Sequence, residues 1–109
     1  MPELFDVMKA LGDETRYLLV KLLLQHDLCV GALAKRLDIS ESAVSQHLRL
    51  LRNAGIVKGE KRGYFTHYYI DRDFLRNAAK ELTGLCELDK IEVVCAKTNP
   101  DACCRKNRT

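Results

Sequence analysis

The chain has 109 residues, 47% of them apolar and 30% charged, which suits one globular domain, leaves little room for a second and excludes a disordered chain. Charge interrupts every long apolar run, as Lys21 does within residues 18–24, and the opening Met-Pro-Glu-Leu-Phe-Asp lacks a basic-then-apolar leader, so neither a bilayer span nor a secretory signal is expected and the cytoplasm is. Net charge is +3 but uneven: residues 28–70 carry seven Lys/Arg against three Asp/Glu, whereas residues 1–27 carry three against five, and a basic middle third is a weak pointer to a polyanion.

In chain order, Leu4, Phe5, Met8 and Leu11 recur at helical spacing and predict a first amphipathic helix. Gly12 stops it and Asp13 is placed to cap a second. Residues 17–24 hold one polar side chain, Lys21, so the second helix is expected to be largely buried. Residues 29–37 predict a short third helix with Val30, Leu33 and Leu37 on one face. Asp38-Ile39-Ser40 then makes a tight turn, with Ser40 as N-cap of a fourth helix that runs to about Ala54 and stops at Gly55. Ile56-Val57-Lys58, a polar tip over residues 59–63 and the β-forming residues 64–70 predict a hairpin. Asp71 opens a long last helix whose stripe is Phe74, Leu75, Ala78, Ala79, Leu82 and Cys86, with Leu88, Ile91 and Val94 able to extend it. Asn99-Pro100-Asp101 breaks any helix, and residues 96–109 read as a cysteine-rich basic tail on a domain spanning residues 1–95.

A short helix, a turn of three or four residues and a second helix make a helix-turn-helix, and the hairpin after it is a wing. The fold class is therefore mainly α with a small β-hairpin: a winged helix-turn-helix. At 100° per residue from Ser40, Val44, Leu48 and Leu51 cluster toward the core, while Ser42, Ser45, Gln46 and Arg49 fall opposite. Short hydroxyls, an amide and a guanidinium on one face suit a major groove, where Gln can pair with adenine and Arg with guanine or a phosphate. His47 lies at the core edge and reads as a neutral imidazole making one hydrogen bond, and it is counted with Ser42, Ser45, Gln46 and Arg49 among the candidate DNA-binding residues. Lys61 and Arg62 at the hairpin tip suit a minor-groove or phosphate contact.

These residues resemble the ArsR/SmtB family of metalloregulatory repressors. The resemblance rests on Leu11-Gly12-Asp13-Glu14-Thr15-Arg16, on Leu28-Cys29-Val30-Gly31-Ala32-Leu33, and on residues 40–48 through Leu51-Arg52-Asn53-Ala54-Gly55-Ile56-Val57. Lys61-Arg62-Gly63 followed by His67-Tyr68-Tyr69 adds to it, and the whole covers about residues 3–85. One departure is Tyr64, where many members carry Arg. The resemblance implies a homodimer, joined by its first and last helices, that binds an inverted-repeat DNA operator when ligand-free and releases it when an inducer binds. No cofactor is implied for DNA binding itself.

Five cysteines, at 29, 86, 95, 103 and 104, are an odd number in a chain without a leader, which argues for reduced thiols. The family's arsenic-type site uses Cys-Val-Cys early in the third helix, and Cys29-Val30-Gly31 matches its first thiol alone. Cys29 reads first as packing against the Leu33 edge, with a share in a metal site as the alternative. The zinc-type site is not expected, because no His follows residue 67. Cys86 reads as interface packing. Cys95, Cys103 and Cys104 put three thiols within ten positions of a hydrophilic tail, near Lys97, Arg105, Lys106 and Arg108 that favour thiolates. Three sulfurs suit trivalent arsenic or antimony. Cadmium or lead, or a redox or persulfide signal that joins two cysteines, fits the same thiols. No Cys-x-x-Cys, strand-helix-strand pattern or acid/base cluster suggests an enzyme.

Overall fold

A computed structural model describes residues 4–91 of the chain. The order is α1 (Leu4–Leu11), α2 (Glu14–Gln25), α3 (Val30–Leu37), α4 (Glu41–Asn53), β1 (Val57–Arg62), β2 (Phe65–Ile70) and α5 (Arg72–Gly84), followed by one 3-10 turn at Leu85–Glu87. This is the expected winged helix-turn-helix. The division at residues 95 and 96 lies outside the described residues.

Side-chain caps set where the helices begin. Asp13, Ser40 and Asp71 stand as N-caps of α2, α4 and α5, accepting from the backbone N–H of Arg16 (3.1 Å), Ala43 (3.0 Å) and Phe74 (3.1 Å). Each oxygen satisfies one of the donors that a helix start leaves open. Two helices end in the same way. After α3, Asp38 takes φ +56°, with Asp38 N–H on the Lys35 carbonyl and Ile39 N–H on Ala34. After α4, Gly55 takes φ +88°, with Gly55 N–H on Arg52 and Ile56 N–H on Leu51. This paired 5→2 and 6→1 pattern is the Schellman motif. The first instance makes the helix-turn-helix bend; the second throws the chain into the wing. Gly55 is doubly constrained, because a Cβ there would also stand 2.8 Å from the Phe74 ring of α5.

Leu19 of α2, Leu33 of α3, Val44, Leu48 and Leu51 of α4, and Ile56 ahead of β1 are fully buried. Burying a side chain of this size contributes about 1.5–3 kcal/mol, so the core that fixes α4 draws on every neighbouring element. The wing is a two-stranded antiparallel sheet with Val57 opposite Ile70 and Arg62 opposite Phe65. Val57 and Ile70 are buried at its base, Thr66, His67 and Tyr68 are half-buried, and the remaining strand residues are exposed.

Four expectations need correction. The hairpin tip is Gly63-Tyr64, not residues 59–63: Lys61 and Arg62 pair with Thr66 and Phe65 as strand residues. Gly63 at φ +65° supplies the positive φ of a two-residue II′ turn. The last helix does not continue through Leu88 and Ile91. Gly84, costly inside a helix, closes α5, Cys86 sits exposed in the 3-10 turn, and Leu88 is extended. Cys29 is exposed rather than packed, because it is the N-cap residue and precedes the first turn of α3. In α2 only Leu19, Val20 and Leu23 are buried, and Tyr17 and Leu18 open to solvent because no described element covers that face.

Candidate nucleic-acid interface

The core dictates which side of α4 faces outward. Val44, Leu48 and Leu51 are at most 1% exposed, and the opposite positions Ser42, Ser45, Gln46 and Arg49 are all exposed. Those four side chains share one continuous face over two turns, ending on a guanidinium that is positive at any working pH. Glu41, also exposed, lies at the N-terminal end of the helix, where a carboxylate is favoured.

His47 stands apart from this face. It is half-buried, and its Nδ1 lies 3.3 Å from Nη1 of Arg16 on α2. The Arg16 Nε–H also donates to the Ala10 carbonyl of α1 at 2.7 Å. Sequence reasoning gave His47 one hydrogen bond but missed its partner. The signal was present in Arg16, three residues past the N-cap of α2, but its long side chain could have gone to solvent equally well.

The wing lies against α4: β1 packs on it, and the Arg52 guanidinium sits 6.0 Å over the Tyr68 ring. Lys61 and Arg62 are exposed at the distal end of β1, where Arg62 meets Glu60 at 3.6 Å, and Tyr64 is fully exposed at the tip. The wing is tied to the rest of the chain by a His67–Asp27 contact of 3.1 Å to the α2–α3 connection and a Lys58–Asp71 pair of 3.8 Å to the N-cap of α5. Cys29 shares a pocket of about 210 Å³ with Asp27, Arg62 and His67. Among the described residues no three His, Cys, Asp or Glu side chains are grouped to hold a metal ion. Cys95, Cys103 and Cys104 lie outside the described residues. No described helix is long and apolar enough to cross a membrane.

On the far side, α1 and α5 leave an apolar groove of about 370 Å³ between Leu4, Met8, Leu11, Leu75, Ala78 and Leu82. Phe5 of α1 (66% exposed) and Leu85 (59%) and Leu88 (71%) after α5 are further exposed apolar side chains. A patch of this kind marks an interaction surface.

The model of bacterial regulatory proteins of the arsR family matches residues 13–58, from the cap of α2 into β1. The arsenical resistance operon repressor of Escherichia coli K12 is 36% identical over 92 residues, covering 82% of this chain and 79% of that protein.

The chain belongs to the ArsR family.

Family members are transcriptional regulators and not enzymes, and the regulator described here has their architecture. It is similar to an ArsR-like transcriptional regulator from Rhodococcus sp. RHA1, with TM-score 0.70, 32% identity, and coverage of 77% of this chain and 79% of that one. It is also similar to the homodimeric winged helix-turn-helix DNA-binding domain from Mycobacterium bovis, with TM-score 0.61, 26% identity, and coverage of 82% and 83%.

Proposed function

We propose that the regulator is a homodimeric repressor that reads an inverted-repeat operator with Ser42, Ser45, Gln46 and Arg49 and releases it when cysteine thiolates bind trivalent arsenic or antimony. The carrying observation is the exposed polar face of α4 opposite the buried Val44, Leu48 and Leu51. Inserted in a major groove, Gln46 and Arg49 offer bidentate pairing to base edges, and Ser42 and Ser45 are short enough to let the helix approach. Lys61 and Arg62 on the wing contact phosphates, which position the protein without specifying sequence. The apolar groove between α1 and α5 becomes the dimer interface, a reading supported by the similarity to the homodimeric Mycobacterium bovis domain.

The inducer reading draws on the similarity to an arsenical resistance operon repressor and on the thiols of Cys95, Cys103 and Cys104. Three thiols can take arsenous acid: each gives its proton to one hydroxide, three waters leave, and arsenic keeps a pyramid of three sulfurs. Cys29, exposed at the start of α3, is open to join them. Binding at those thiols shifts the dimer only by its preference for the released state over the DNA-bound one.

The test is operator binding by the purified, reduced protein titrated with arsenite and antimonite. Changing Cys103 and Cys104 together to serine should leave operator affinity intact and abolish arsenite-induced release. Normal release from that variant would refute the tail site. Release from wild type by a persulfide donor or oxidant, with none by arsenite, would replace the arsenic reading by the redox one.

A further inference from the structure

We infer that the Arg16–His47 hydrogen bond holds α4 in its reading pose, and that it does so only while His47 is uncharged. The inference rests on the DNA-binding reading above and adds a positioning pair and a pH dependence to it. One guanidinium joins three helices: Arg16 of α2 donates to the Ala10 carbonyl of α1 at 2.7 Å and lies 3.3 Å from Nδ1 of His47 on α4. Ala10 is buried, and α1 lines the apolar groove with α5. Arg16 thus ties the helix assigned to the dimer interface to the helix assigned to DNA. His47 is half-buried between Gln46 on the exposed face and the fully buried Leu48, so its contact with Arg16 lies where α4 turns from its core side to its outer side.

The protonation state follows from the donor inventory. A guanidinium has five N–H donors, no acceptor, and a charge it does not lose. The contact is a hydrogen bond only if Nδ1 offers its lone pair, which makes His47 neutral with its proton on Nε2. Protonation sets two cationic donors against each other and removes the tie. Among charged groups on the elements packed against α4, Arg16 of α2 touches the ring. Asp6 and Lys9 of α1 line a pocket of about 230 Å³ beside Arg16, and Lys35 and Arg36 of α3 and Lys58 and Glu60 of β1 are exposed.

The sign is distinctive. Adding a proton to a DNA-binding protein ordinarily tightens it on a polyanion, whereas here protonation of His47 weakens operator binding. The experiment compares wild type with His47→Gln at fixed salt as the pH is lowered stepwise from about 7.5 to the lowest value at which both stay folded and dimeric. The Gln side chain stays neutral and its amide oxygen can still accept from Arg16. Wild type should lose about tenfold more affinity than His47→Gln across that span, since a hydrogen bond to a charged group is at stake. Arg16→Gln should bind about tenfold more weakly at the upper pH and show the flat profile. Identical pH profiles for wild type and His47→Gln would overturn the inference. A second readout does not involve DNA: the imidazole nitrogen signals of the free protein should show His47 Nδ1 unprotonated at the upper pH, and a proton on Nδ1 would overturn the contact itself. If the protein binds no operator, the DNA reading fails while the nitrogen signals still decide the Arg16–His47 bond.

Discussion

Arg49 is the side chain on which the reading of α4 turns, because it alone on that face combines charge with a bidentate fork. Its replacement by Ala should cost about 1–3 kcal/mol of operator affinity and relax specificity at one base pair if it pairs with a base. Measured across several sequences, the same loss everywhere would instead make it a phosphate contact. Lys61→Ala and Arg62→Ala on the wing should behave in that second way, each lowering the salt dependence of binding by about one unit of slope. Ser42, Ser45, Gln46 and Arg49 were legible in the sequence because a 3.6-residue period fixes which positions oppose Val44, Leu48 and Leu51, and all four are exposed. The Arg16–His47 contact spans 31 positions, and no periodicity relates two residues on different helices. Cys29 misled for a related reason: composition favours burying a thiol, but its place one residue ahead of α3 puts it outside the packed turn.

The element boundaries were legible wherever a cap residue marked them. Asp13, Ser40, Gly55 and Asp71 stand in the structure as N-caps or helix stop, as their side chains or lack of one dictate. The hairpin was less so. A polar stretch over residues 59–63 invites a loop, yet Gly63-Tyr64 is a two-residue turn signal, and cross-strand pairing overrides composition at Lys61 and Arg62. The last helix was read too long because its apolar stripe continues past Gly84, whose cost to a helix the stripe does not reveal. Gly55 gives the sharpest element-scale prediction. Gly55→Ala forces a Cβ into a positive-φ position and onto the Phe74 ring, so it should destabilise the fold by about 2 kcal/mol. At equal protein concentration the variant should melt roughly 10 °C lower. An unchanged melting temperature would mean that α5 and the wing accommodate the methyl group, and that the turn after α4 is not the rigid junction described.

At the scale of the whole molecule, the apolar surface on α1 and α5 continues the core outward through Val7, Leu75 and Ala78, and Phe5, Met8 and Leu82 are each at least 44% exposed in the single chain. A 109-residue chain gains much by covering such a surface with a second copy. Sedimentation at micromolar concentration should therefore give a dimer, and Met8→Glu with Leu82→Glu should give a monomer with weakened operator binding. A two-fold dimer should recognise two half-sites in inverted orientation, about one helical turn apart or a multiple of it. The central claim is that this dimer reads DNA with the exposed face of α4. It is tested most directly by selecting DNA from a random duplex pool with the purified, reduced protein, beside a variant in which Ser42, Ser45, Gln46 and Arg49 are all Ala. Wild type should enrich one inverted repeat, and the variant, folded and dimeric, should enrich none. Enrichment of the same repeat by both proteins would contradict that claim.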